Sequence, residues 1–309
     1  MHIATLAPST EGWYTKWMPP PKWNIWVNHA AQIGVVPNQE RIFLQHSHLT
    51  KFLWELPTTQ VLELPFPNSK DPIISDNAVF VRDAFLSNQN DKVLISRFRN
   101  PTRINQTTVI AQMVRSKLQE LSIEREMIVP PNEEDLYFEW GDFRFSPNDQ
   151  LLFVWYNPDN KTSRNSESWI QWVQKELNIP DKNRILVHSK GFHIDTVMWL
   201  VTDFNARVIA CLACPDLISN YDELNKRCES SDIQMIPVGR RYGIGTPWCQ
   251  ERWLGTINTL NINDYLLSGW VFDEKTEEIL NTLNIKRWIL DVSEFWLAGW
   301  WIHCLTNQI

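Results

Sequence analysis

The feature that most constrains this chain is a recurrence of short apolar strands followed by an amphipathic helix. Val79-Phe80-Val81 to Phe85 and Val93-Leu94-Ile95 are β-branched and apolar, separated by the polar turn Ser87-Asn88-Gln89-Asn90-Asp91. Val109, Ile110, Met113, Val114, Leu118 and Leu121 then follow at helical spacing. A second copy reads as strands at Met127 to Val129, Leu136 to Phe145 and Leu151 to Trp155, with a helix over Ser166 to Leu177. A third has strands at Ile185 to Val187, Thr196 to Val201 and Val208 to Leu212. Its helix runs from Asp216 to Cys228, with Pro215 just ahead, where a missing N–H costs little. The fourth has strands at Ile233 to Val238 and Asp264 to Leu267 and a helix near Glu274 to Leu283.

The fifth copy has only strands at Trp288 to Asp291 and Trp301 to Leu305. Its missing strand is expected at Asn24 to Val27, followed by a helix near Gln39 to Leu56, so that the start of the chain completes the last unit. A closed ring explains why no copy stands alone. The predicted fold is α/β, a fivefold pseudosymmetric αβ-propeller of ββαβ-type units, with residues 1–309 as a single domain.

Hydrophobic residues make up 43% of the chain and charged residues 21%, a globular balance that argues against disorder. The net charge of −7 disfavours nucleic acid or an anionic membrane as partner and suits a cationic small substrate. No apolar run is long enough to span a bilayer, and no basic-then-apolar leader opens the chain. Five cysteines without framework spacing point to a reduced, cytoplasmic protein.

Four segments put ionisable side chains at the edges of inner strands: Phe80-Val81-Arg82-Asp83, Glu139-Trp140-Gly141-Asp142, His193-Ile194-Asp195 and His303-Cys304-Leu305-Thr306-Asn307. Corresponding places in a ring converge on its axis, which would gather carboxylates, an imidazole and a thiol in one pocket. Carboxylates hold a planar cation through bidentate hydrogen bonds. A thiol becomes a nucleophile as thiolate, and an imidazole titrating near neutrality can protonate a leaving amine and then deprotonate water. That set suits chemistry at an amidine carbon, with no metal or cofactor required.

In order and rough spacing from Val79 to Ile309, these segments resemble the signatures of the guanidine-modifying, or pentein, superfamily. It includes arginine, agmatine and protein-arginine deiminases, dimethylarginine hydrolases and arginine amidinotransferases, and the resemblance implies the fivefold αβ-propeller already read from the repeats. It also implies roles. Cys304 would attack the guanidinium carbon to give a covalent amidino-thioether, and His193 would serve as general acid and base. Asp83 and Asp195 would hold the guanidinium nitrogens, while Glu139 would bind substrate or orient His193. The implied function is hydrolysis of a guanidinium C–N bond in arginine, an arginine-like molecule or an arginine-containing peptide, of deiminase type. An amidinotransferase, an ornithine-forming arginine hydrolase and a non-catalytic binder of arginine peptides are the alternatives.

The family's Glu-Gly-Gly-Asp stands here as Glu139-Trp140-Gly141-Asp142, and the glycine-rich loop before the nucleophile as Ala298-Gly299-Trp300-Trp301. Trp in place of Gly is expected to restrict positive-φ geometry and to add bulk beside the pocket, hinting at a larger or more apolar substrate. Arg240 or Arg241, in the loop from Gly239 to Gly245, is a candidate for a substrate carboxylate, as are Arg97, Arg99 and Arg103. His46, His188 and His303 are rivals to His193. Cys211 and Cys214 lack a second ligand pair and read as buried thiols at a strand end rather than a zinc or redox site. Trp169 and Trp172 read as core.

Overall fold

The computed structural model describes residues 1–8, 32, 34–65, 79, 81–98, 103–131, 137–156, 166–189, 193–242, 255–297 and 301–309; the side chains of 104, 105 and 241 are outside that set. The expected strand at Asn24 to Val27, and Phe80, Arg99 and residues 298–300, also lie outside the described residues.

The described residues form five three-stranded sheets, each with the same path: two antiparallel strands, a helix, then a strand parallel to the middle one. The first sheet pairs β3 (Phe85–Ser87) with β4 (Lys92–Ile95), and α2 (Ile104–Glu120) leads to β5 (Glu126–Ile128). The second has β6 (Phe143–Ser146), β7 (Leu151–Trp155), α3 (Glu167–Glu176) and β8 (Arg184–Val187). The third has β9 (Met198–Thr202), β10 (Val208–Ala213), α4 (Tyr221–Glu229) and β11 (Gln234–Pro237). The fourth has β12 (Leu260–Ile262), β13 (Tyr265–Ser268), α5 (Glu274–Thr282) and β14 (Lys286–Ile289), and a short helix, α6 (Ser293–Trp296), follows it.

The fifth sheet joins the two ends of the chain. The last strand, β15 (Thr306–Gln308), is antiparallel to β1 (His2–Leu6), and α1 (Gln39–Glu55) leads to β2 (Gln60–Leu64), parallel to β1. The expectation that the N-terminal residues complete the last unit therefore holds, with His2–Leu6 in the role assigned to Asn24 to Val27. The strand near Trp288 belongs to the fourth sheet, not the fifth.

Three expected strands begin too early, for one physical reason. Val81–Ala84, Trp140–Asp142 and residues 302–305 are tight turns just ahead of β3, β6 and β15. Their apolar residues face the core as a strand's would, yet their carbonyls bond back within the turn, as in Asp142 N–H to Glu139 O at 3.1 Å. The repeat lies in backbone shape rather than in residue identity. Gln89, Gln150, Ala206 and Asn263 take positive φ in the four hairpins, and Ser122, Asn178, Asp232 and Asn284 take it after the helices α2 to α5. Non-glycine residues accept that conformation at a cost, Asn and Asp most easily.

Four apolar clusters knit neighbouring sheets. Leu86 and Leu94 of the first sheet pack with Phe143, Leu152 and Trp169 of the second unit. Phe153 and Ile185 pack with Leu200 and Leu212 of the third sheet, and these with Leu266 of the fourth. Leu260 and Leu267 meet Ile3, Leu49 and Val61 of the fifth unit, and Ala4 and Leu62 meet Phe85 and Val93 of the first. Trp169 is buried, as expected for core. Among the described residues no helix is long and apolar enough to cross a membrane.

Asn307 fastens the fifth sheet to the first. Its Nδ2 donates to the carbonyls of Val81, Arg82 and Phe85, and its Oδ1 accepts from Arg82 Nη1 at 3.0 Å. Asn307→Ala strips partners from several buried groups at once. The expected loss is about 1–3 kcal/mol of unfolding free energy, read as a lower urea midpoint at unchanged slope.

Candidate active site

The turn preceding the first strand of each sheet carries the polar residues, and the five turns come together. Asp83 sits in the turn before β3, Glu139 and Asp142 at the one before β6, and His193 and Asp195 at Ile194–Thr196 before β9. Cys304 lies in residues 302–305 before β15. The remaining turn, residues 255–259 before β12, brings in Asn258. All these side chains are buried: His193 is 2% exposed and Cys304 6%.

Two connected groups of contacts make up the site. In the first, Arg103 Nη1 donates to Asp83 Oδ2 at 2.9 Å and lies 3.8 Å from Glu139 Oε2. Glu139 Oε2 is 3.2 Å from His193 Nε2, and His193 Nδ1 is 4.0 Å from Asp83 Oδ1. The Arg103 guanidinium stacks on the Phe98 ring, 4.1 Å from its centroid, and its Nη2 has no hydrogen-bond partner. In the second, Arg144 Nη2 lies 3.1 Å from Asp195 Oδ2, and His303 Nδ1 lies 2.9 Å from the same oxygen. Asp195 Oδ1 is buried without a partner, an acceptor that a bound donor would satisfy.

Local sequence explains the placement. Gly141 is required because a Cβ there would overlap the His193 ring. Gly255 has φ +43° and its missing Cβ is where the Trp301 indole sits. Trp140, expected to crowd the pocket, instead points into the core between Phe138 and Phe143, with its Nε1 donating to Leu94 O at 3.2 Å. It is not among the positive-φ residues, so the Gly-to-Trp departure leaves the turn's geometry undisturbed. Trp301 is likewise fully buried.

Asn258 went unnoticed in the sequence. Its Nδ2 donates to Cys304 Sγ at 3.5 Å and its Oδ1 accepts from His303 N–H at 3.1 Å, so one amide holds both the thiol and its backbone. The signal available was the polar run Thr256-Ile257-Asn258-Thr259 just ahead of an apolar Leu260-Asn261-Ile262. Arg82 and Arg144 were also missed as site residues. Both are buried, and Arg82 is held down to about 9 by desolvation and by the Arg144 charge.

Other candidates fall elsewhere. Arg97 donates to Pro131 O at 3.0 Å, and Arg240 is exposed. The side chain of Arg241 and residues 243–254 lie outside the described residues. His46 is on α1, its pKa lowered by burial to about 4, and His188 follows β8 beside Tyr156. His303 forms the floor of the site, its pKa driven well below the ordinary value by burial and by Arg144 and Arg82. Cys211 and Cys214 are buried free thiols: Cys211 is hydrogen-bonded to Cys228, while Cys214 faces Gly239 O at 3.8 Å.

The Cys304 thiol is pushed well above its ordinary pKa, first by burial and then by the charges of Asp195 and Asp83; the bonds from the Trp301 backbone and Asn258 pull it back. Burial and the two carboxylates therefore favour the neutral thiol. A planar cation placed between the carboxylates would remove their opposition and favour the thiolate.

No family model matches the chain, and no curated protein does. Among solved structures, AgrE in complex with ornithine and NAD+ superposes with a TM-score of 0.74 at 17% identity, covering 99% of this chain and 39% of that one. The N-terminal domain of ArgZ, an arginine dihydrolase from the ornithine–ammonia cycle in Cyanobacteria, was solved as a Cys-to-Ser mutant bound to substrate. It gives a TM-score of 0.72 at 18% identity, covering 99% of this chain and 97% of that domain. A dimethylarginine dimethylaminohydrolase adduct with S-methyl-L-thiocitrulline gives 0.65 at 16% identity, covering 100% and 99%. The chain thus spans about two fifths of full-length AgrE and ArgZ and nearly all of the ArgZ N-terminal domain. It has the fold of these structures.

Alkylation of Cys304 by iodoacetamide, followed by mass spectrometry, should have a pH midpoint above the ordinary thiol value of 9.0 in the free protein. Guanidinium ion at non-denaturing concentration should lower that midpoint, and Asn258→Ala should raise it. A midpoint indifferent to the cation would contradict the role given to Asp83 and Asp195.

Proposed function

We propose that this chain, as one five-unit αβ-propeller over residues 1–309, hydrolyses a guanidinium C–N bond of arginine or an arginine-like substrate with Cys304 as nucleophile. The observation that carries the reading is the convergence of Asp83, Glu139, His193, Asp195 and Cys304 from separate turns into one buried site. The likeness to the ArgZ domain and to the dimethylarginine hydrolase supports it.

In this mechanism Asp83 and Asp195 accept hydrogen bonds from the guanidinium nitrogens, and the unpartnered Asp195 Oδ1 is the open acceptor. The bound cation offsets the charge that had kept the thiol neutral, so substrate helps to create its own nucleophile. The Cys304 proton passes to His193, and the thiolate so formed makes a bond to the guanidinium carbon. The tetrahedral adduct expels one nitrogen as ammonia, protonated by His193, and leaves an amidino group on sulfur. His193 then takes a proton from water, whose oxygen adds to the same carbon. The C–S bond breaks, returning the thiolate and releasing a ureido product. Glu139, 3.2 Å from His193 Nε2, fixes the ring and stabilises its charged form. Arg103, with Nη2 unpartnered, would meet a substrate carboxylate; Arg241 remains a candidate for the same contact.

A second outcome is favoured by the likeness to AgrE bound to ornithine and to ArgZ, an arginine dihydrolase. A second hydrolytic round at the same carbon would take arginine and two waters to ornithine, two ammonia and carbon dioxide. The first half-reaction is shared, so the same residues serve both.

Free arginine, agmatine, methylarginines and arginyl peptides, assayed for ammonia, ureido product and ornithine, test the reading and separate its outcomes. Cys304→Ser should fall to background with the fold intact, and His193→Ala should lose about 10²–10⁴ in kcat. Gly141→Ala, which displaces the His193 ring, should lose kcat more than it changes KM. Full activity of Cys304→Ser would overturn the mechanism.

A further inference from the structure

The chain places a guanidinium of its own against one of the carboxylates assigned to the substrate. Arg103, at the start of α2, donates from Nη1 to Asp83 Oδ2 at 2.9 Å and lies 3.8 Å from Glu139 Oε2. Its guanidinium stacks 4.1 Å from the centre of the Phe98 ring, and its Nε donates to Gln106 Oε1 at 3.2 Å. A carboxylate at the edge and an aromatic ring on the face are what a guanidinium arriving from solution would also use. Arg103 is 3% exposed, so the contact is made away from water.

The two carboxylates proposed to hold the substrate are not equally ready for it. Asp195 presents one oxygen, Oδ2, to both Arg144 and His303 and keeps Oδ1 open. Asp83 gives Oδ2 to Arg103 and turns Oδ1 toward His193 Nδ1 at 4.0 Å. A bidentate grip on Asp83 takes both oxygens, so an incoming guanidinium and Arg103 compete for Oδ2. Displaced from Asp83, Arg103 would be a buried cation whose next carboxylate, Glu139, is shared with His193 Nε2 at 3.2 Å. Leaving a buried charge short of its partner is costly. Its Nη2 already lacks a hydrogen-bond partner. A substrate carboxylate supplies the missing partner in the same step in which the substrate guanidinium takes Asp83. An arginine-like cation with hydrogen or an amide in that place does not.

We propose that Arg103 is a resident competitor for Asp83 and, through that competition, selects guanidines that carry a carboxylate, as free arginine does, over agmatine and over arginine whose carboxyl group is an amide. This selection rests on the proposed reaction's use of Asp83 and Asp195 to hold the substrate guanidinium. A carboxylate-bearing substrate exchanges one ion pair, Arg103 with Asp83, for two: its guanidinium with Asp83 and its carboxylate with Arg103. A guanidine without the carboxylate makes the first pair and strands the Arg103 cation, an opposition set against the wrong ligand.

Binding is measured by calorimetry on the whole chain carrying Cys304→Ser, with L-arginine, L-argininamide and agmatine as ligands. With Arg103 in place, L-arginine should bind at least about tenfold more tightly than either of the others. Adding Arg103→Gln should weaken L-arginine about tenfold or more and tighten agmatine about threefold or more. Opposite shifts for the two ligands are a signature that a merely structural Arg103 would not produce. If the Gln variant does not melt cooperatively, Arg103→Lys, which keeps the charge without the planar fork, should reduce the preference for L-arginine in the same sense. Equal affinity for the three ligands with Arg103 in place, or an Arg103→Gln variant in which agmatine is not tightened, would overturn the selection and leave the reaction standing. Failure of Cys304→Ser to bind any of the three with Arg103 in place would overturn both.

Discussion

The antiparallel pairing of β15 with β1 is the contact on which the site depends. Ile3 opposite Gln308 and Thr5 opposite Thr306 make the last strand of the chain the neighbour of its first. That register carries residues 302–305 to the place in the fifth unit that Asp83, Glu139 and His193 occupy at the edges of theirs. Cys304 then faces Asn258 on one side, while Asn307 reaches across to the turn before β3 on the other. Pairing strands so far apart in sequence carries a large loop-closure cost, which grows only slowly with length. The apolar clusters that join each sheet to the next offset it, since no three-stranded sheet could bury both its faces alone.

The same geometry brings several charges into a space with little water, and the protein answers with pairing that is only partly complete. Asp83 has Arg103, Asp195 has Arg144, and Glu139 has the imidazole of His193. Buried ion pairs of this kind are poor sources of stability, because desolvation of both partners consumes most of the Coulomb gain. Their value is to hold acceptors in place. The outcome is a buried cluster with an unpartnered carboxylate oxygen on Asp195 and unpartnered guanidinium nitrogens on Arg82, Arg103 and Arg144.

Much of this was legible in the residues. Each of the five helices expected from spacing appears within a few residues, because an apolar stripe over several turns is a long-range signal. Asp83, Glu139, His193, Asp195 and Cys304 were singled out by their place at the ends of apolar runs and by the resemblance of their segments to a known family, and the structure buries all five. The strands β1, β2, β12 and β15 were missed. They are three to five residues long, too short for an alternating pattern to emerge, and β1 and β2 draw their stability from distant partners. Asn258 was missed for a related reason: a neutral amide carries no sign of function until its neighbour is known to be a thiol.

The tryptophans show why residue type alone misleads near such a site. Trp140 and Trp301 adjoin Gly141 and Ile302 in the site-forming turns, and bulk there suggested a reshaped pocket. Both rings turn away from the charges: Trp140 finds a carbonyl for its N–H in the core, and Trp301 occupies the space that Gly255 leaves open. Trp199 does reach the site, but edge-on to His303 with the Arg144 guanidinium 4.3 Å from its ring centre. There it shields the buried cation through the face of the indole. A tight turn sends successive side chains in different directions, so a large apolar residue beside a catalytic position serves the core while its neighbour serves the site. Trp140, Trp301 and Trp199 therefore brace the turns that hold Asp142, Cys304 and Asp195, and none of the three lends support to a larger substrate.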